Sequence, residues 1–128
     1  MSEARTVAVV GASSDRRKFG NKAVRAYAAS GWRVFPVHPQ EQSVEGLPAY
    51  PSVTAVPEPI HTVSLYVPPK VVLSLLPEIA AREPQEIWFN PGTTCEELAD
   101  EVLRLDLPCV FACSILGLGR TPSEFPDR

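Results

Sequence analysis

The stretch "VAVVGASSDRRKFGNKA", Val7 to Ala23, decides the reading of this chain. A continuous apolar and β-branched run, Thr6–Val10, has the pattern of a strand buried on both faces. It meets Gly11, where the chain must turn sharply, then Ser13 and Ser14, then the cations Arg16, Arg17 and Lys18. A helical pattern follows from Asn21 to Ser30, with Ala23, Ala26, Tyr27 and Ser30 at helical spacing and Gly31 placed to end it. A strand, a glycine turn and a helix N-terminus with local positive charge form a site suited to phosphate or pyrophosphate.

Working outward, short apolar runs alternate with longer helical patterns. Arg33–Val37 predicts a second strand, stopped by Pro39, and His61–Val67 a third, halted by Pro68 and Pro69. Lys70–Arg82 predicts a helix with Val71, Val72, Leu75, Leu76, Ile79 and Ala80 as its apolar stripe, kinked or broken at Pro77. Glu86–Asn90 predicts the fourth strand, ending in "PGTT". Thr94 is expected to cap a helix to Asp106, with Glu97 completing a capping box, and Cys109–Cys113 is the fifth strand. Between Gln40 and Pro59 the pattern is irregular: "LPAYPSV" suggests a short extra strand, and Ser52 a cap for one helical turn. The stretch after Cys113 has little pattern and is expected to be a docked or frayed tail, with the core ending near Gly119 and 120–128 as tail.

Such alternation implies an α/β fold: a single-domain, Rossmann-like doubly wound parallel sheet of about five strands spanning 1–128, with right-handed crossovers. Ligands of such sheets bind beyond the carboxyl ends of the strands, where strand order reverses. The positions to inspect are therefore Gly11–Gly20, His38–Gln40, Val67–Lys70 and Asn90–Thr94.

Composition limits the partners. The net charge of −3 gives no bulk attraction to nucleic acid or to an acidic membrane surface, so anion binding must be local. No apolar stretch reaches the length of a membrane span and "MSEART" has no signal-peptide pattern, which predicts a cytoplasmic protein. The odd number of cysteines, Cys95, Cys109 and Cys113, favours free thiols. On a strand, Cys109 and Cys113 would stand roughly 13 Å apart, too far to share a metal ion, and read as buried apolar thiols.

The phosphate signature fits neither standard glycine fingerprint. The residues between Gly11 and Gly20 supply no P-loop, and G-x-G-x-x-G is absent. The end of the second strand, Phe35-Pro36-Val37-His38, lacks the acid that binds NAD ribose hydroxyls.

In order and spacing, "VAVVGASSDRRKFGNKA", "GWRVFPVHPQ", "LYVPPKVV" and "EIWFNPGT" resemble the small single-domain CoA-binding proteins of bacteria and archaea. These are similar to the N-terminal CoA-binding domain of the succinyl-CoA synthetase α subunit, and the resemblance runs from Thr6 to about Gly119. It implies coenzyme A or an acyl-CoA as ligand. Gly11, Ala12, Ser13 and Ser14 match the family's pyrophosphate loop and Lys18 a recurrent basic position, with Arg16 and Arg17 as added charge. Val67 and Pro68 would wall the adenosine end or the pantetheine, and Asn90, Pro91 and Gly92 would approach the pantetheine arm. "VHPQ" stands where relatives commonly have Val-Asn-Pro-Lys, so His38, Pro39 and Gln40 fall at a contact region. Gln40 removes one candidate phosphate contact, while the His38 imidazole can donate one hydrogen bond. Either affinity is lower than is usual in the family, or Arg16 or Arg17 holds the 3′-phosphate instead. "FACSILGL" replaces the Asp-Arg-Cys ending common in relatives.

Catalytic residues are not apparent. In the synthetases a phosphorylated histidine on a second domain carries the reaction, and the histidines here are His38 and His61, the latter at a strand start. Ser13 and Ser14 lack an identifiable base, and Ser13 with His38 has no third group to orient the ring. Glu96, Glu97, Asp100 and Glu101 read as a solvated face, and Trp32 and Trp88 as core or interface aromatics. The expectation is a CoA-binding module without its own catalytic residues, with a homodimer or partner protein covering a sheet edge. The alternative is an NADP-linked oxidoreductase using the same loop, although its cations lie before the helix rather than after the second strand.

Overall fold

A computed structural model describes residues 5–128. Five parallel strands form one sheet: β1 (Thr6–Val10), β2 (Arg33–Val37), β5 (Thr62–Leu65), β6 (Glu86–Phe89) and β7 (Cys109–Val110). Their order is β2-β1-β5-β6-β7. The helices α1 (Phe19–Ala29), α2 (Pro69–Ala81) and α3 (Glu96–Leu105) are the crossovers, and a short α4 (Ser114–Gly117) follows β7. The order reverses between β1 and β5, which opens a crevice beyond their carboxyl ends.

The strand period divides the core in two. Val7 and Val9 of β1 pack with Ala23, Val24 and Tyr27 of α1 on one face. Ala8 and Val10 pack on the other face with Leu65, Leu76, Phe89 and Leu98, under α2 and α3. Pro36 lies inside β2 without breaking the sheet because β2 is an edge strand. Tyr50 covers part of that edge, donating its N–H to the Pro36 carbonyl at 2.9 Å and accepting the His38 N–H at 2.9 Å.

Several expectations change. Helix α1 starts at Phe19 rather than Asn21. Helix α2 runs unbroken through Pro77, whose side chain lies on the exposed face, where water can solvate the carbonyl left without its donor. Thr94 does not cap α3: Cys95 holds the cap position with no side-chain bond, while Glu96 and Glu97 place negative charge on the first turn. The capping box occurs instead at Thr121 and Glu124, before the single turn Pro122–Glu124. The fifth strand is only Cys109–Val110, so Cys109 and Cys113 are half-buried rather than buried. Among the described residues no cluster of three or more His, Cys, Asp or Glu could hold a metal ion. No helix among them is long and apolar enough to cross a membrane.

The irregular stretch contains a hairpin, β3 (Ser43–Val44) with β4 (Leu47–Pro48), turning at Glu45 and Gly46, both at positive φ. One helical turn follows at Val53–Ala55, although the Ser52 side chain makes no capping bond. The C-terminal segment is docked. Ile115 and Phe125 enter the α1-side core, and the buried Lys22 ammonium binds the Phe125 carbonyl at 2.6 Å and the Asp127 carboxylate at 2.7 Å.

Candidate ligand-binding site

The carboxyl ends of β1, β2, β5 and β6 surround a cavity of about 620 Å³. Its back is the turn at Gly11. There φ is +91°, the N–H bonds the Val37 carbonyl at 3.0 Å, and a Cβ would stand 2.6 Å from the Tyr66 carbonyl oxygen. Only glycine fits both the conformation and the approach. A Cβ on Gly20, in the first turn of α1, would overlap the Gly11 carbonyl oxygen, so the helix also starts hard against the turn.

The loop between them is organised by its own polar groups. Ser13 Oγ accepts the Asp15 N–H at 3.0 Å, and Asp15 accepts the Arg17 N–H at 3.0 Å. Asn21 Nδ2 donates to the Ser13 carbonyl at 2.8 Å. Arg17 then folds back on Asp15 with two bonds of 3.0 and 2.9 Å. Arg16 is likewise held through two bonds, at 3.2 and 3.0 Å, by Glu45 from the β3–β4 turn. Ser14 N–H donates to Glu41 at 2.5 Å. Lys18 is exposed, lines the cavity and makes no ion pair among the described residues. Phe19 and Gly20, whose N–H groups precede the first helical bonds (Asn21 and Lys22 N–H to the Lys18 carbonyl, both 3.1 Å), also line it. Helix polarity and one ammonium thus point into the same space.

At the end of β2, His38 Nδ1 accepts the N–H groups of Gln40 and Glu41 at 3.0 and 3.2 Å. The ring is therefore held with its proton on Nε2, a donor for the cavity that His38 lines.

The opposite side is built on Asn90. Its Nδ2 donates to the Leu65 carbonyl at 2.8 Å and to Ser64 Oγ at 3.0 Å, while its Oδ1 accepts the Ser114 N–H at 2.8 Å. Ser64 and Ser114 hydroxyls meet at 2.8 Å, and Tyr66 adds its hydroxyl to Ser114 at 3.1 Å. Burial pushes the Tyr66 phenol well above its ordinary pKa, and that of Tyr27 up to about 12. Above this network the sequence Asn90-Pro91-Gly92-Thr93 makes a tight turn with Gly92 at φ +91° and Thr93 N–H on the Asn90 carbonyl at 3.1 Å. Val67, Pro68 and Pro91 give the wall its apolar surface.

Of the sequence-predicted residues, Gly11, Ser13, Lys18, His38, Val67, Pro68, Asn90, Pro91 and Gly92 come together around the cavity. Ala12 is fully buried in the α1-side core. Ser14, Arg17, Pro39 and Gln40 lie outside the lining, the first two engaged as described and the last two exposed. Phe19, Gly20 and Thr93 fell inside the loops marked for inspection without being named as contacts, and Tyr66 and Cys113 fell outside them; all five line the cavity. Phe19 is 55% exposed on the first turn of α1, and an aromatic directly after the last loop cation was its signal. His61 is far from this chemistry, at the start of β5 and bonded to Thr62 at 2.7 Å. Glu96, Glu97 and Asp100 are exposed, as a solvated face should be, while Glu101 is half-buried and paired with Arg104.

A doubly wound sheet, a glycine turn at its first strand and a cavity at the point of strand reversal define a nucleotide-type ligand-binding domain. A family model described as a CoA binding domain matches residues 5–118, and the chain belongs to that family. It is 38% identical over 77 residues to the alpha subunit of ADP-forming acetate–CoA ligase II of Pyrococcus furiosus, covering 58% of this chain and 16% of that one. It is 32% identical over 79 residues to ADP-forming acetate–CoA ligase I of Archaeoglobus fulgidus, covering 62% of this chain and 12% of the ligase. The chain thus spans less than a fifth of the length of these ligases. A conserved hypothetical protein of Pyrococcus furiosus has the same fold with a TM-score of 0.81 and 30% identity, over 88% of this chain and 98% of the other. A hypothetical protein of Pyrococcus horikoshii superposes with a TM-score of 0.81 at 28% identity, over 89% of this chain and 81% of that one.

Proposed function

We propose that the cavity binds coenzyme A or an acyl-CoA, with the pyrophosphate at the Gly11 turn and the first turn of α1. The adenosine lies toward β2 and the pantetheine along Val67, Pro68 and the Asn90–Thr93 turn. Family membership supports CoA as ligand. The observation that carries the placement is the convergence of Lys18, the α1 N-terminus and an apolar wall on one cavity. An anionic head with a long, weakly polar arm needs this combination.

The chain acts as a holder rather than as a catalyst. Asn90, Ser64, Ser114 and Tyr66 are committed to one another, which leaves the ligand an imidazole donor, an ammonium, the Cys113 thiol and backbone amides. The named relatives are CoA ligases of which such a domain is a small part, so delivery of CoA to a partner protein fits the same reading. NADP is the weaker fit, because no cation follows β2 to meet a 2′-phosphate.

Calorimetric titration with CoA, acetyl-CoA, NADP and ATP tests this. CoA or acetyl-CoA should bind and NADP should not; NADP binding without CoA binding overturns the reading.

A further inference from the structure

The ribose end of the site can be read from its charges, given the proposed placement of adenosine toward β2. In doubly wound sheets the ribose beside the phosphate turn meets the end of the neighbouring strand, where an acid suits a free hydroxyl and an arginine suits a phosphate. Here the sequence holds no lysine or arginine between Arg33 and Lys70, while Glu41 and Glu45 both fall after β2. CoA carries a 3′-phosphate on that ribose, and the loop arginines were the remaining candidates to meet it. Both are taken: Arg16 forms a two-bond pair with Glu45, and Arg17 a two-bond pair with Asp15.

Glu41 goes further. Its carboxylate accepts the Ser14 N–H at 2.5 Å, so a loop amide that could receive a phosphate oxygen already carries an anion. Its own N–H is one of two that occupy His38 Nδ1, which leaves the ring its Nε2 side for the cavity. Among these groups beside β2, what faces the cavity suits a hydroxyl, while Lys18 lies on the α1 side for the pyrophosphate. A 3′-phosphate placed at the end of β2 would gain no unpaired cation, and the Glu41 carboxylate held on Ser14, just outside the cavity lining, would add negative charge beside it.

We propose that the adenosine end of this site selects a ribose with a free 3′-hydroxyl, so that dephospho-CoA binds at least as tightly as CoA. Glu41 is the residue that sets this preference, and Gln40 sustains it by leaving the β2 end without a cation.

The test is calorimetry of CoA and dephospho-CoA against the native protein, Glu41→Gln and Gln40→Lys. Glutamine at 41 can still accept the Ser14 N–H, and Gln40 is exposed, so both variants should fold. In the native protein the Kd for CoA should equal or exceed that for dephospho-CoA. Each variant should shift the ratio toward CoA by about tenfold, roughly one favourable charge interaction near a protein surface. A native preference for CoA, or a ratio unmoved by either variant, overturns this inference and leaves the CoA site standing. Failure of both ligands to bind the native protein overturns the site itself.

Discussion

Gly20 lies so close to Gly11 that a single added carbon on Gly20 would overlap the Gly11 carbonyl oxygen. The nine-residue step between them is longer than a dinucleotide fingerprint allows, yet the pair does the same physical work. One glycine permits the turn and the other lets the helix start against it. Gly20→Ala should destabilise the fold by about 1–3 kcal/mol through overpacking. Gly11→Ala should cost at least as much, through its left-handed backbone and the overlap with the Tyr66 carbonyl. Urea denaturation checks both; an unchanged midpoint for Gly20→Ala would show that the helix start can shift.

Lys18 and Arg17 are adjacent in sequence but differ in role. Lys18 lines the cavity, whereas Arg17 is paired with Asp15. Lys18→Ala should weaken CoA binding about tenfold, a loss near 1.4 kcal/mol, and flatten its salt dependence. Arg17→Ala should change affinity little. Both should leave stability within about 0.5 kcal/mol.

Asn90 ties β5, β6 and α4 together. Replacing it by alanine strands the Ser114 N–H and removes the donor to Leu65, at a cost of about 2–4 kcal/mol. Thermal denaturation should show this loss without ligand, which separates it from a contact made only to CoA.

Acid should loosen the contacts around the loop. Asp15 is held down to about 2 by the side chain and backbone N–H of Arg17. Glu41 is lowered by Ser14, first through its side chain and then through its N–H, and Glu45 first by the Asn21 amide and then by Arg16. A carboxylate whose pKa falls on folding stabilises the fold above its unfolded value, near 4, and loses that contribution as pH drops through the lower folded one. The stability difference between native protein and Glu45→Gln should therefore be present at pH 7 and shrink toward pH 2. Denaturation at both pH values checks it, and a difference that persists in acid would contradict it.

Cys113 lines the cavity and Cys95 is exposed on the surface. CoA at ten times its Kd should slow alkylation of Cys113 about tenfold while Cys95 reacts unchanged, as followed by mass spectrometry. Equal protection of both, or of neither, would move the ligand away from β7.

The sheet was largely legible because each strand is a short apolar run punctuated by proline or glycine. The turns after β1, β5 and β6 followed from the rule that ligands gather at strand ends. The charge balance was not. "RRK" looks like three free cations, but two are neutralised by Asp15 and by Glu45, and Glu45 arrives only through a hairpin that a proline-rich segment concealed. Cys113 was read as part of a strand, and joins the site because β7 stops at Val110 and the chain turns into α4.

The central claim is most directly tested by following backbone amide chemical shifts as CoA is added. The account predicts large changes at Gly11, Lys18, Gly20, His38 and the Gly92–Thr93 turn, with Thr6 and Glu83, at the other end of the sheet, unmoved. Changes clustered around Thr6 and Glu83, or no changes at saturating CoA, would contradict it.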